Sequence, residues 1–237
     1  MRLRRILLWV CLLPASVAAV FALYVAWLGL DFGAPSTCRG SIANGSLEGG
    51  RRLPYSGENY RAYSLLGYLL GRTFVHDKVR NAMRDAYADL ARSHPDLRFL
   101  YAETSWPWGG NFAPHKTHAN GTSVDFHVPT RTDGQVSELP TSPFNKFGYS
   151  VEFDGAGRAG SLLIDFEAMG LHLLALDKAA RANGTRIQRV IFDPALHSKL
   201  AASPGGAQAL ARLPFQRQRS WVRHDEHYHV DFAVPCR

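Results

Sequence analysis

Two histidine-rich stretches hold the side chains of this sequence that are best suited to chemistry. One runs from His115 to Asp125 and the other from His224 to His229, and together they contain five of the ten histidines. A catalytic zinc ion takes three protein ligands, drawn mainly from histidine and carboxylate, and keeps a fourth position open for water. We therefore expect the two stretches to form the halves of one metal-assisted hydrolytic site.

The spacing within each stretch supports this interpretation. Gly121 lies between His118 and Asp125 and lets the chain turn, so that a histidine on a loop can meet an aspartate on a strand. His227 and His229 are two residues apart, which places both side chains on one face of a strand. The alternative, that all five histidines are unrelated surface or core residues, does not account for their clustering.

The elements that must position these residues are a mixture of helices and strands. Apolar residues recur at helical spacing from Val79 to Leu90, between a predicted N-cap at Asp77 and a stop at Pro95. The sequence further predicts strands at Leu97–Glu103, Thr122–Val128, Phe144–Phe153, Val190–Asp193 and Tyr228–Val234, helices at Phe166–Ala182 and Pro194–Leu200, and a break at Gly205–Gly206 before another short helix. Because no regular βαβ alternation is present, we expect an α+β fold, with a single catalytic domain built on a central antiparallel sheet flanked by helices.

The N-terminus differs in composition from the rest of the chain. Arg2, Arg4 and Arg5 precede an uncharged run at residues 6–30, which is longer than the apolar core of a usual cleaved signal peptide. We therefore expect a transmembrane signal anchor in the inner membrane, with the remainder of the chain in the periplasm or another extracytoplasmic space. The alternative is a cleaved signal peptide, because residues 15–19 are small enough for a cleavage site, and the protein would then be secreted.

The predicted organisation has three parts. Residues 1–30 form the anchor or signal peptide, residues 31–55 form a linker and irregular segment, and residues 56–237 form the catalytic domain. Cys38 and Cys236 lie at the two ends of the exported part, and an oxidising compartment favours a disulfide between them. Two unpaired thiols are the alternative.

The net charge of +7 favours an acidic partner. Nucleic acid, anionic lipid and an anionic cell-wall polymer all carry the required charge, and export argues against nucleic acid. The arginines are scattered along the sequence, so a basic surface that is merely solvated is the alternative. The sequence does not indicate an oligomeric state.

The two stretches resemble the signature of a group of zinc peptidases. His118 and Asp125, followed by His227 and His229 as His-x-His, are typical of the group that includes lysostaphin-type enzymes, D-Ala-D-Ala carboxypeptidases and hedgehog-type domains. Within this group the sequence is most similar to the penicillin-insensitive murein endopeptidases. That resemblance covers residues 41–236 and is carried by His115-x-x-His118-x-x-Gly121-x-x-x-Asp125, by His224-x-x-His227-x-His229, and by Gly45-Ser46-Leu47-Glu48-Gly49 with Leu53-Pro54 upstream.

The resemblance implies a role for each histidine of the motifs. The zinc ligands it implies are His118, Asp125 and His229. His227 would then orient or polarise groups around the metal, and His115 and His224 match further active-site histidines of the endopeptidases.

Glu226 departs from the endopeptidase pattern. It stands three residues before His229, a spacing that resembles that of the catalytic glutamate in the carboxypeptidase branch. A glutamate beside a catalytic metal is a good general base for activating water. If its side chain points away from the metal instead, His224 or His227 must take the proton.

Aromatic residues precede the first predicted ligand in the sequence. Trp106 and Trp108 are candidates for the wall of a substrate groove, and Asn111 is a candidate for a hydrogen bond to a peptide backbone. Simple packing of these side chains is the alternative. His127, two residues after Asp125, is expected on the same strand face, as an orienting neighbour or a packed core residue.

The predicted function is zinc-dependent hydrolysis of peptide bonds in peptidoglycan, by a murein endopeptidase that acts on cross-links. One alternative is a D,D-carboxypeptidase that releases a terminal D-Ala. Another, from a different class, is a non-catalytic zinc-containing module that binds the cell wall. The site could also hold a divalent metal other than zinc, since histidine and aspartate accept several such ions.

Overall fold

The computed structural model of the chain describes residues 2–30 and 33–237, with side chains from residue 14 onward. Asp31 and Phe32, where the expected linker begins, lie outside the described residues. The α-helices are α1 (Arg2–Leu28), α2 (Leu65–Leu69), α3 (Asp77–Ser93), α4 (Phe166–Ala182), α5 (His197–Ala201) and α6 (Pro204–Arg212), and two short 3-10 helices span Pro143–Gly148 and Pro194–Leu196.

The strands are short, and they follow one another in chain order as β1 (Thr37–Gly40), β2 (Gly45–Glu48), β3 (Arg51–Arg52), β4 (Tyr60–Ala62), β5 (Phe74–Val75), β6 (Phe99–Tyr101), β7 (Ser123–His127), β8 (Thr130–Thr132), β9 (Gln135–Ser137), β10 (Arg158–Ala159), β11 (Leu162–Ile164), β12 (Ile187–Ile191) and β13 (His227–Phe232). They form a five-stranded sheet of order β12-β13-β7-β6-β4, a four-stranded sheet of order β10-β11-β8-β9, and the two-stranded pairs β1-β2 and β3-β5.

The five-stranded sheet is mixed rather than wholly antiparallel as expected. Its pairs β12-β13, β13-β7 and β7-β6 are antiparallel, but β6 and β4 are parallel. The chain between β4 and β6 contains α2, β5 and α3. A crossover of this length returns the chain to the same end of the sheet, which is what a parallel pair requires. The mixture of helices and sheets agrees with the expected α+β class.

The two central strands have different residues on their two faces. Val124 and Phe126 of β7, with Tyr228 and Val230 of β13, belong to the hydrophobic core, which also contains buried residues of α3 and α4. Side chains alternate along a strand, so the intervening residues point to the opposite face. Every residue of β7 and β13 is buried, and their second face therefore lies beneath other parts of the chain.

Several predicted elements are confirmed closely. The helix predicted at Phe166–Ala182 is α4, with the same bounds, and the helix beginning at Asp77 is α3. The N-cap of α3 is His76 rather than Asp77, since the Nδ1 atom of His76 accepts a hydrogen bond from the backbone of Lys78. The strands predicted near the two histidine stretches are present as β7, which is one residue shorter at each end, and β13, which begins one residue earlier and ends two residues earlier than predicted.

Two predicted elements are wrong. Phe144–Phe153 is not a strand, because Pro143 begins a 3-10 helix and the Asn145 side chain accepts hydrogen bonds from the backbone N–H groups of Ser142 and Gly148. Gly205 and Gly206 do not separate two elements as predicted. They lie inside α6, where the absence of side chains allows close packing against α4. A Cβ atom on Gly170 of α4 would collide with the backbone of both glycines.

Residues 37–52, part of the segment expected to be linker and irregular structure, contain three strands. β1 pairs with β2, and β3 pairs with β5. The predicted disulfide between Cys38 and Cys236 is present and joins β1 to the segment that follows β13. These residues are therefore bound into the same structure as the two histidine stretches.

The C-terminal end of α1 contacts the rest of the molecule. The Tyr24 hydroxyl donates a hydrogen bond to the Leu70 carbonyl at 2.9 Å, and Leu28 is buried. Among the described residues, no helix combines the length and the hydropathy needed to cross a membrane. The membrane anchor expected at residues 6–30 is not confirmed and stays a prediction.

One histidine lies in the hydrophobic core, on the sheet face opposite the two stretches. His172 of α4 is completely buried against Phe99 and Phe126, and its Nδ1 atom lies 2.7 Å from the Tyr228 hydroxyl. Burial in these apolar surroundings lowers the pKa of His172 to about 3. The folded protein therefore holds this side chain neutral at physiological pH.

This burial predicts a loss of stability in acid. Below pH about 6.5 the unfolded chain binds a proton at His172 that the folded chain does not bind. The free energy of unfolding therefore decreases as the pH is lowered from about 6.5 to about 3. At pH 5 the loss from this group is about 2 kcal/mol. The amide of His172→Gln can still pair with Tyr228 but does not titrate. When the pH is lowered from 7 to 5, we expect the free energy of unfolding, measured with urea, to decrease by about 2 kcal/mol less in this variant than in the wild type. An identical pH dependence in the two proteins would contradict the prediction.

Candidate functional site

The carboxylate of Asp125 lies at the centre of the two histidine stretches. Asp125 is completely buried on β7, directly opposite His229 of β13 in the sheet register. Two histidine nitrogens approach its Oδ1 atom, the Nδ1 of His229 at 2.8 Å and the Nε2 of His118 at 3.4 Å. One carboxylate oxygen is thus shared by a histidine from each stretch.

Different groups approach the other oxygen of Asp125. The Tyr149 hydroxyl donates a hydrogen bond to Oδ2 at 3.0 Å. The Nδ1 atom of His115 lies 3.6 Å from Oδ2, and the Nε2 atom of His227 lies 4.0 Å from it. The histidines therefore divide into two pairs, one on each oxygen of the same carboxylate.

The second nitrogen of each of the three nearest histidines is held by a neighbour. The Nδ1 of His118 lies 3.3 Å from the Ser123 carbonyl, and the Nε2 of His229 lies 2.7 Å from Oδ1 of Asp231. The Nε2 of His115 lies 2.5 Å from Oε2 of Glu103. Partners of this kind fix the ring orientation and tautomer of metal-binding histidines.

These neighbours leave the Nε2 atom of His118 buried with no hydrogen-bond partner in the described part of the chain. A buried polar atom without a partner is costly, so a nitrogen that points at a carboxylate fits a cation bound between the two. Ligand atoms around a tetrahedral zinc ion lie roughly 3.3 Å apart, close to the 3.4 Å that separates this nitrogen from Asp125. The ligand atoms of His115, His118 and Asp125 all lie within 4.8 Å of one another and form a group that could hold a metal ion.

His118 reaches this position through an unusual backbone conformation. Its φ angle is 74°, in the left-handed region that a residue with a β-carbon rarely adopts. Gly121, at φ 73°, completes the turn that leads into β7, and its carbonyl accepts a hydrogen bond from the backbone of His76. Such strain persists only where surrounding structure supports it, and it is concentrated at functional sites.

The charges around Asp125 are strongly coupled. Burial raises the pKa of Asp125, but the surrounding histidines, His118 first, outweigh this and bring it well below the ordinary value. Burial lowers the pKa of His229, but the carboxylates of Asp231 and Asp125 outweigh this and raise it to about 10. The two carboxylates on either side of the His229 ring therefore favour its protonated form.

Glu226 and His227 form a hydrogen-bonded pair. Oε1 of Glu226 lies 2.8 Å from Nδ1 of His227, while Oε2 is buried without a partner among the described residues. Burial raises the pKa of Glu226 to about 7 and lowers the pKa of His227 to about 4. The ring of His224 lies 4.6 Å from that of His227, and burial lowers its pKa to about 3.

An open cleft of about 650 Å3 gives access to these groups. Its lining includes Tyr63, Glu103, His115, Asp125, Tyr149, His224, Glu226, His227 and His229. Both members of the Glu226–His227 pair therefore line the cleft.

Trp106, Trp108 and Asn111 are not among the residues that line this cleft. Trp106 packs against Phe112 and beneath the Arg72 guanidinium, and its Nε1 donates a hydrogen bond to the Asn111 carbonyl. Trp108 is 53% exposed and lies beside Trp27 of α1. Substrate binding by Trp106, Trp108 and Asn111 stays a prediction.

Sequence reasoning missed three residues of the site. Asp231 continues the alternating His227-x-His229 pattern of β13, so its spacing could have identified it. Glu103 and Tyr149 come from segments with no spacing relation to the histidines. Glu103 accepts hydrogen bonds from Tyr63 and Arg72 and also pairs with His115. Burial raises the pKa of Glu103, but His115 and Arg72 outweigh this and bring it to about 2.

Buried histidines around a carboxylate, at the bottom of an open cleft, define a candidate metal-binding hydrolytic site. Residues 38–237 match the family model described as penicillin-insensitive murein endopeptidase, and the chain belongs to this family. It is also similar to a penicillin-insensitive murein endopeptidase of Haemophilus influenzae, with 23% identity over 198 residues. The match covers 83% of this chain and 63% of that relative, so the chain spans less than two thirds of the relative's length.

The geometry at His118 predicts the effect of removing its side chain. We expect His118→Ala to lower the affinity for a divalent metal by more than about 100-fold, beyond the 10–100-fold typical of a residue that only orients a ligand. Isothermal titration with zinc measures this on protein whose fold is checked by circular dichroism. His94→Ala, at the C-terminal end of α3, is the matched control and should bind metal like the wild type. Unchanged affinity in His118→Ala would contradict the assignment of a metal site.

Proposed function

We propose that the chain is a zinc-dependent peptidase that hydrolyses peptide bonds of peptidoglycan, as an endopeptidase acting on cross-links. The observation that carries the proposal is the sharing of one buried Asp125 oxygen by His118 and His229 at the bottom of an open cleft. Membership of the murein endopeptidase family supports the substrate class. The name of the Haemophilus influenzae relative points to the same activity.

We assign His118, Asp125 and His229 as the zinc ligands. The group formed by His115, His118 and Asp125 shares two of these residues and offers His115 as the third. We favour His229 because its nitrogen and that of His118 approach the same oxygen of Asp125, whereas His115 approaches the other oxygen. Asp231 then orients His229 as a carboxylate commonly orients a metal-bound histidine.

In the proposed mechanism the chain's own residues bind the peptide and move the proton. The zinc ion, when bound, supplies Lewis-acid chemistry by acidifying water and polarising the scissile carbonyl. His227 accepts the proton of the attacking water at Nε2, because its Nδ1 is held by Glu226 at 2.8 Å. As the new C–O bond forms and the C–N bond breaks, His227 returns the proton to the leaving amine.

The remaining groups of the cleft have supporting roles in this proposal. His115, held by Glu103, and His224, beside His227, stabilise the negative charge that develops on the carbonyl oxygen. The Cys38–Cys236 disulfide supports an oxidising, extracytoplasmic location, where peptidoglycan is found. The positive net charge of +7 favours attraction to an anionic wall polymer.

Digestion of purified peptidoglycan tests the proposed activity. We expect the zinc-loaded chain to convert cross-linked dimers into monomers, chelation to stop the reaction, and His118→Ala to be inactive. Chromatography of the released fragments measures the products. Release of free D-Ala from monomers, with dimers intact, would indicate a D,D-carboxypeptidase, and wall binding without any product would indicate a binding module.

Two substitutions separate the roles of Glu226 and His227. We expect His227→Ala to lower kcat by about 10²–10⁴-fold, since it removes the group that transfers the proton. Glu226→Gln keeps an oxygen that can accept the Nδ1–H of His227, so we expect a loss of only about tenfold for the weaker, uncharged hydrogen bond. Turnover of a labelled cross-linked peptide measures both, with equal zinc content as the control. A loss in Glu226→Gln as large as that in His227→Ala would instead make Glu226 the base.

A further inference from the structure

We propose that Lys116 and Lys146 form a subsite for free carboxylates of the substrate, so that the enzyme selects acidic peptides. The inference rests on the proposed peptidase function and extends it to the specificity of the cleft. Both lysines are exposed, and both line the cleft that contains Asp125 and the Glu226–His227 pair. They lie on two different loops, which the fold brings to the same opening.

Lys116 is held at the cleft by an aromatic side chain. It belongs to the loop between His115 and His118, and its Nζ atom lies 4.4 Å from the centre of the Trp221 ring. A lysine over the face of an indole ring is attracted to it and loses part of its freedom of movement. Trp221 is itself 62% exposed and lines the same cleft. The ammonium group is thereby placed at the opening of the cleft without being neutralised.

Lys146 is held by its backbone. Lys146 and Phe147 are consecutive residues in the left-handed region, with φ angles of 51° and 56°. This conformation is unfavourable for residues with a β-carbon, and two in succession require support from their surroundings. The Asn145 side chain supplies it from one side, and His127 donates a hydrogen bond from Nε2 to the Phe147 carbonyl at 2.9 Å. His127 therefore fixes the loop that carries Lys146.

The other cations near the cleft differ from these two lysines because they are paired. Arg223 contacts Glu152 and Asp225, each at 2.8 Å, and Arg72 contacts Glu103. Within the described part of the chain, neither Lys116 nor Lys146 has a carboxylate at ion-pair distance. The charges of Arg223 and Arg72 are compensated by carboxylates of the protein, whereas an unpaired lysine can bind a carboxylate of a ligand.

The placement of these charges indicates what the ligand is. The acidic groups of the cleft lie deep, where Asp125, Glu103 and Glu226 are buried, and the two unpaired cations lie at the exposed opening. A peptide bound across the opening would meet positive charge on the parts that flank its scissile bond. Carboxylates of that peptide, at side chains or at a chain end, are the groups with the complementary charge.

A pair of matched substrates tests the inference. One is a synthetic cross-linked peptide dimer with free carboxylates, and the other is the same dimer with those carboxylates amidated. The zinc-loaded full chain is compared with Lys116→Met, Lys146→Met, the double variant, the charge-conserving Lys146→Arg, and Lys199→Met as a control. Lys199 is exposed on α5 and does not line the cleft.

We expect the wild type to prefer the free-carboxylate dimer. Each single Met variant should lose up to about fivefold in kcat/KM on that dimer, which is the range of an exposed ion pair, and the double variant should lose more. The loss should appear in KM rather than kcat, and the amidated dimer should be almost unaffected. Lys146→Arg should retain most of the preference, and Lys199→Met should behave as the wild type on both dimers.

Equal losses on both dimers, or no loss on either, would overturn the subsite while leaving the peptidase function intact. If the wild type cleaves neither dimer, the proposed function fails and the inference fails with it. A second measurement depends far less on turnover: the two dimers are titrated into His227→Ala and into the same variant carrying both lysine substitutions, since His227→Ala removes the group that transfers the proton. We expect the double variant to lose the affinity difference between them, and an unchanged difference would overturn the subsite.

Discussion

The contact between the buried Asp125 carboxylate and the histidines around it is the interaction on which the rest of the site depends. A completely buried carboxylate carries a large desolvation cost, which must be offset by charged or hydrogen-bonding partners. His229 and His118 approach one oxygen, and Tyr149 donates to the other. The pairing of β7 with β13 places Asp125 directly opposite His229, so the sheet register itself creates the shortest histidine contact.

The same two strands connect the site to the stability of the fold. On one face, Val124, Phe126 and Val230 pack into the core, and on the other Asp125 and His229 meet at the candidate metal site. Because side chains alternate, a slip of one residue in register would exchange the two faces and place charged groups in the core. A stable core and an intact site therefore require the same pairing register of β7 and β13.

Much of the site could be predicted from the sequence because it depends on short-range geometry. The two-residue spacing of His227 and His229 fixes their shared face, and Gly121 permits the turn that returns His118 towards Asp125. Family membership then follows from motifs that are themselves consequences of this geometry. The disulfide was predictable from the positions of Cys38 and Cys236 and the expected compartment.

Two of the three residues that sequence reasoning missed depend on long-range packing, whereas Asp231 follows the alternation of β13. Glu103 and Tyr149 reach the site from separate segments, and nothing in their local spacing indicates a partner among the histidines. The segment at Pro143–Gly148 resembles a strand by its aromatic residues, but Pro143 begins a 3-10 turn and the Asn145 side chain bonds across the kink that follows it. Parallel pairing of β4 with β6 depends on how a whole crossover packs, which no local pattern encodes.

The central claim is that the histidines divide between the two oxygens of Asp125. The most direct test is a crystal structure of the zinc-loaded chain in which anomalous scattering locates the ion. The account predicts one zinc ion at about 2.0–2.2 Å from Oδ1 of Asp125, Nε2 of His118 and Nδ1 of His229. His115 should remain paired with Glu103 and outside bonding distance. An ion bound on the Oδ2 side, with the Nδ1 of His115 in place of His229, would contradict it.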